Sequence, residues 1–222
     1  MLRTGALRLR LSSSPLGFTL HRLKKRLAQA VAYTADWALF IGVVLILGLG
    51  SSWYMIQHGS PLTTVSSGPW VSWVTAARRG SDPYTRAHEA RLGILPLSTE
   101  VGQTFTARTD NQGRALHSSC NYVVEGHELQ THWWSLTVFD SEGRLVANTL
   151  DRHAYTSDTI AIRGDGTFVA MLSRDAHPGN WLPIGGAGRL ALVFTVIDFG
   201  ARSLAGDDEV SAYLPTITRK DC

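Results

Sequence analysis

The sequence predicts one membrane-spanning helix followed by a mainly β domain, an antiparallel β-sandwich of jelly-roll type preceded by a short helical segment. Three observations lead there. The run 37–57 is uncharged and 21 residues long. At ~1.5 Å per residue it spans roughly 31 Å as a helix, the thickness of a bilayer's hydrocarbon core. Beyond Leu97 the apolar residues recur with period two, as in strands. Turn residues then separate several short segments of that kind, the spacing of a sandwich.

Residues 1–36 form a basic tail with seven Lys/Arg against Asp36 alone. Residues 1–20 mix basic residues with Ser-Ser-Ser-Pro and read as irregular. Residues 21–33 are basic and helix-capable, and they lead straight into the apolar run. The cluster Arg22, Lys24, Lys25 and Arg26 orients that run by the positive-inside rule. The expected address is therefore an inner membrane, with the tail cytoplasmic, the span at 37–57, and everything after it periplasmic. Trp37 and the pair Trp53-Tyr54 suit the two interfaces. The alternative is a cleaved signal. The small residues at 48–52 allow it, whereas the length of the run and the lack of an A-x-A-like site oppose it.

Residues 58–98 read as a linker and helical segment. Ser, Thr, Gly and Pro dominate 58–68. Trp70 and Trp73 follow, either packed against the domain or lying along the membrane surface. Ser81-Asp82-Pro83-Tyr84 opens a helix, with a polar cap and a proline in the first turn. Gly93 closes it as a left-handed cap.

Residues 99–222 make the β domain. Strands are predicted at 101–109, 120–125, 132–140, 144–147, 159–163, 167–173 and 188–198. Turns at 140–143 and 164–166 join two pairs of them. No period of 20–50 residues recurs, which excludes a repeat protein.

Charge narrows the function. The chain's net charge of +3 resides in its tail, because residues 58–222 carry fourteen Lys/Arg against seventeen Asp/Glu. A folded domain without a basic excess is no nucleic-acid binder. Two cysteines, Cys120 and Cys222, are placed to pin the C-terminal tail to the sheet as a disulfide. On the chain-entropy argument a loop of roughly 100 residues gives about 4–5 kcal/mol. Two free thiols are the alternative.

Several motifs carry a family likeness: Cys120-x-Tyr122, Trp133-Trp134-Ser135-Leu136, Phe139-Asp140 with Gly143-Arg144-Leu145, and Pro178-Gly179-Asn180-Trp181-Leu182-Pro183. With Gly68-Pro69-Trp70 and the run from Asp82 to Ala87, they make residues 50–222 resemble a bacterial family of unknown function, DUF1214, in its small membrane-anchored branch. The resemblance implies a mostly β envelope domain of jelly-roll type. It also implies a companion domain, which larger relatives carry before it, supplied here by a separately encoded protein. It implies no catalytic residues.

Candidate chemistry is sparse. Asn180 and Trp181 offer an amide and an indole face to a sugar or another partly apolar ligand; alternatively they build a structural corner. Trp133 and Trp134 point to opposite faces of one strand, so one enters the core and the other covers a second surface. Arg86 either anchors an anionic ligand or pairs with Asp82 or Glu89 on its own helix. The ligand-binding candidates are thus Asn180, Trp181, Arg86 and Trp134.

His117, His127, His132, His153 and His177 show no His-x-His or H-E-x-x-H spacing, so no metal or cofactor is expected. Ser135, His153 and Asp151 supply the residue types of a triad without an elbow to place them, and catalytic residues stay unknown. The expected function is a binding or interaction module of the bacterial cell envelope, partnered by inner-membrane lipid and by an envelope or membrane protein. The alternative is a hydrolase of envelope carbohydrate or lipid. It would need two of Asp140, Glu142, Asp151 and Asp158 to converge at ~5–9.5 Å. A structural subunit is the third possibility.

Overall fold

The computed structural model describes residues 15–129, 131–197 and 213–222, with side chains from Leu23 onward. Residues 1–14 of the basic tail, the side chain of Arg22, and Asp198 at the end of the last expected strand lie outside the described residues. The chain divides into two compact units, Met1–Trp53 and Tyr54–Cys222.

The described residues of the first unit are helical. Helix α1 (Pro15–His58) is continuous, so residues 15–20, read from sequence as irregular, are helical from Pro15 onward. Proline is well suited to a helix's first turn, where its missing N–H has no partner to lose. Within α1, Leu23–His58 is long and apolar enough to cross a membrane. The hydroxyls of Thr34 and Ser51 donate back to Val31 O and Gly48 O, so these polar groups are satisfied inside the helix.

The second unit is mostly β, with a short helix α2 (Pro83–Leu92). Its strands among the described residues are β1 (Thr64–Ser67), β2 (Trp70–Trp73), β3 (Gly102–Ala107), β4 (Asn121–His127), β5 (Trp133–Asp140), β6 (Ala154–Thr156), β7 (Thr167–Ser173), β8 (Asn180–Pro183), β9 (Leu190–Ile197) and β10 (Thr216–Asp221). They form two sheets, in the orders β1-β2-β3-β9-β5-β6 and β10-β4-β7-β8. β9, apolar on both faces, lies inside the larger sheet between β3 and β5.

The core fills the space between the sheets. Trp134 of β5 stacks on Phe168 of β7, with centroids 4.9 Å apart, and tilts against Phe194 of β9. Gly126 is directly paired with Phe168; a Cβ at position 126 would lie 2.4 Å from the ring. Glycine is thus required there by close approach.

Pairing departs from the sequence reading in several places. Residues 64–67, expected as linker, pair with Trp70–Trp73 in the β1–β2 hairpin around Gly68, whose φ of 56° carries no Cβ penalty. The segment 159–163 makes a single bridge, Ile162 to Phe168, because the Asn180 side chain takes both the N–H and the C=O of Ala161. β8 runs parallel to β7, the one departure among the described pairs from a purely antiparallel arrangement. Pro183 is tolerated because β8 is an edge strand.

Two turns share one construction. In Asp110-Asn111-Gln112-Gly113-Arg114 and in Asp140-Ser141-Glu142-Gly143-Arg144, the aspartate Oδ1 accepts the backbone N–H of the second and fourth residues on. Its Oδ2 accepts from the arginine Nε at 2.8 and 2.9 Å respectively. Glycine takes positive φ in both. The second turn diverts the chain so that 144–147, expected as a strand, keeps only the bridge Phe139 to Leu145.

The C-terminal strand is held as a strap. β10 pairs with β4, Trp70 Nε1 donates to Pro215 O at 2.7 Å, and Ile217 N donates to Asn111 Oδ1. Arg219 lies 3.5 Å from Asp110, and the disulfide Cys120–Cys222 closes the end.

Candidate functional site

Alternation along β3 assigns its side chains. Phe105 and Ala107 enter the core, while Thr104, Thr106 and the adjoining Arg108 stand on the outer face. On β2, Trp70 and Ser72 are buried, and Val71 and Trp73 share that outer face. Helix α2 and residues 94–99 lie across it and enclose a cavity of about 330 Å³. That is within the range of small-molecule sites, roughly 300–1,000 Å³.

The helix is fixed at both ends by local chemistry. Asp82 Oδ1 accepts from Tyr84 N at 2.9 Å and Thr85 N at 3.0 Å, and Gly93 closes the other end at φ 65°. Asp82 Oδ2 also takes the hydroxyls of Thr75 and Thr85. Burial works to raise the Asp82 pKa, and these hydrogen bonds overcome it, so the carboxyl sits below its ordinary range. Glu89 accepts the Ala77 N–H, tying the preceding loop to the helix.

Within the cleft, Val71, Trp73, Leu92, Ile94 and Leu97 make an apolar wall. Thr99, Thr104, Thr106 and Arg108 face it with polar groups, and Gln57 and His58 close one side. The His88 ring stacks on Trp73 with centroids 4.2 Å apart, and its Nδ1 lies 2.7 Å from Ile56 O. A carbonyl only accepts, so Nδ1 carries the proton and Nε2 of the neutral ring is left as an acceptor. Burial lowers the His88 pKa against that hydrogen bond, and Arg108 and Arg91 push the same way. The Thr99 hydroxyl is buried without a hydrogen-bond partner among the described residues. An unpaired buried hydroxyl is costly.

The residues singled out from sequence are not brought together. Trp134 is 1% exposed and stacked in the core, so it has no face open to a ligand. Asn180 is buried, and its amide serves Ala161 N, Ala161 O and Val169 O at 2.8–2.9 Å. Trp181 is buried on β8, its indole N–H donating to Ser173 O. These three act in the frame. Arg86 is exposed on α2, beside a shallow depression shared with Ile94 and Leu95. Its expected pairing with Asp82 or Glu89 is not formed among the described residues, because both carboxylates are engaged as above.

Of the triad types, two meet and the third is placed elsewhere. His153 places Nδ1 2.9 Å from Val146 O and Nε2 2.9 Å from Asp151 Oδ1, while Ser135 is buried mid-strand on β5. Of the carboxylates, Asp140 and Glu142 both pair with Arg144. Among the described residues no three His, Cys, Asp or Glu side chains are grouped to hold a metal ion.

Residues 101–198 match the family described as a protein of unknown function, DUF1214. That stretch opens just before β3 and runs through β9, so α2 and β2 of the cleft lie outside it. Among solved structures, the chain is similar to the VPA0106 protein from Vibrio parahaemolyticus at 17% identity and TM-score 0.55, covering 78% of this chain and 43% of that one. It is also similar to an uncharacterized protein from Burkholderia cenocepacia at 19% identity and TM-score 0.39, covering 54% and 29%. The chain thus spans less than half the length of either. No curated protein matches it.

Proposed function

Taking as premise a chain that carries a DUF1214 domain behind a helix able to cross a membrane, we propose that it is a membrane-anchored binding module of the bacterial cell envelope. Its domain lies in the periplasm and its ligand or partner group seats in the cleft over β2 and β3. The observation that carries this reading is the cleft's polar complement: a neutral His88 stacked on Trp73, the Arg108 guanidinium and the threonines of β3, opposite an apolar wall. Such a lining suits a small group with an apolar body and a polar or anionic end, as envelope lipids and lipid-linked sugars have. The disulfide supports an oxidising compartment, and the basic residues before the apolar run support a cytoplasmic tail.

A separately encoded partner, bearing the domain that larger relatives carry, is the candidate protein ligand. Affinity purification of the full-length protein from native membranes, with mass spectrometry of what accompanies it, tests the reading. A partner or lipid-linked molecule held by the wild type and lost on Thr106→Trp, which fills the cleft, is expected. A bare protein, or the same molecules on both, contradicts it.

A further inference from the structure

The second unit has an uneven surface. Leu95 is fully exposed and Leu62 is 88% exposed, and Leu92, Ile94 and Leu97 are exposed with them. Elsewhere in this unit, beyond residue 101, the large exposed hydrophobic residues among those described are Leu145, Leu150 and Tyr213. Scattered exposed apolar residues are ordinary; a cluster of them marks a contact surface. Leu92, Ile94, Leu95 and Leu97 adjoin one another. Ile94 lies both in the cleft wall and in the depression with Leu95 and Arg86.

Charge follows the same division. Residues 74–108 hold Arg78, Arg79, Arg86, Arg91 and Arg108 against Asp82, Glu89 and Glu100. Asp82 and Glu89 are committed to the helix cap and to Ala77 N–H. The remainder, 109–222, carries nine Lys/Arg against fourteen Asp/Glu. Arginines set beside exposed leucines match the chemistry of an anionic bilayer surface, with stems among headgroups and leucines at the acyl boundary. The chain supplies the proximity, since Gln57 and His58, which end the apolar helix, also border the cleft whose wall includes Leu92, Ile94 and Leu97.

We propose that the face bearing Leu92, Ile94, Leu95 and Leu97, flanked by Arg86 and Arg108, docks onto the anionic headgroups of the membrane in which the helix sits. The helix then provides the first membrane attachment and this face a second, charge-dependent one. It opens the cleft toward the lipid surface, and it holds whether or not the cleft takes a ligand.

The test uses the full-length chain in nanodiscs of phosphatidylcholine alone or with added phosphatidylglycerol. A spin label is placed at Leu95→Cys, and a reference label at Leu145→Cys. In discs containing phosphatidylglycerol, the label at 95 should be several-fold less accessible to a water-soluble paramagnetic reagent than the label at 145. It should also become more accessible to oxygen. The protection should fall on removing phosphatidylglycerol, on adding salt, and in Arg86→Gln/Arg108→Gln, whose circular dichroism checks the fold. Equal accessibility at both positions overturns the proposal. So does protection at 95 that persists in neutral discs and in detergent and grows with protein concentration, which would mean self-association.

Discussion

The segment around Asn180 and the cleft over β2 and β3 are opposites. Asn180-Trp181-Leu182-Pro183 is conspicuous in the sequence, yet its polar groups are all engaged within the fold: the amide holds Ala161 and Val169, and the indole N–H holds Ser173 O. The cleft draws on unremarkable residues, a threonine-bearing strand and a lone helical histidine, and it leaves an imidazole nitrogen as acceptor. A distinctive motif whose groups are satisfied internally builds structure. Plain residues whose polar groups are left over at a cavity are where a ligand has something to gain.

Perturbations of the frame should therefore move stability, and perturbations of the cleft should move binding. The largest effect is expected on the C-terminal strap. Replacing Cys120 and Cys222 by serine should lower unfolding stability by about 3–5 kcal/mol, measured by urea titration of the full-length protein in detergent. Next comes Asn180→Ala, expected to cost about 1–3 kcal/mol because it removes three partly buried hydrogen bonds to Ala161 and Val169. Retained ligand or partner binding in that variant sharpens the contrast; lost binding in a folded protein breaks it.

The twin turns set a third step. Asp110 is 1% exposed and faces Arg219 as well as Arg114, whereas Asp140 is at the surface with Arg144. Asp110→Asn should cost about 1–3 kcal/mol and Asp140→Asn measurably less. Burial acts to raise the Asp110 pKa, but the Arg114 backbone and side-chain hydrogen bonds prevail and lower it below 3.8. Its contribution is thus complete above that value and disappears as pH falls through the lower folded value. For His88, burial likewise lowers the folded pKa below 6.5, so the unfolded chain binds the extra proton first and stability declines as pH falls below 6.5. His88→Phe should flatten the stability profile in that upper window and leave the acid limb near Asp110 unchanged. The smallest stability effect belongs to the cleft itself: Thr106→Trp should shift the unfolding free energy by no more than about 1 kcal/mol while abolishing binding.

What the sequence made legible was local. The cap at Asp82, the close at Gly93 and the full extent of β7 follow from capping chemistry and period two, which a few neighbouring residues determine. The apolar run was legible because length and charge alone define it, and the Cys120–Cys222 pairing followed from there being two cysteines. Parity required Trp133 and Trp134 to face opposite ways, but the choice of Trp134 for the core depends on Phe168 and Phe194, distant in sequence. The β1–β2 hairpin escaped because Thr-Val-Ser-Ser resembles a linker until Trp70–Trp73 pairs with it. The cleft escaped for the same reason on a larger scale: it joins residues 57–109 from separate elements, and the alternation of Thr104 and Thr106 against Phe105 was the available signal.

The most direct measurement is hydrogen–deuterium exchange of the full-length protein in native-membrane discs and again after its co-purifying molecules are removed. Slower exchange in the bound state at residues 71–76, 88–99 and 104–109, with 161 and 180–183 unchanged, is the expected result. Protection at 180–183 with the cleft segments unaffected would contradict it and return the binding site to the Asn180-Trp181 corner.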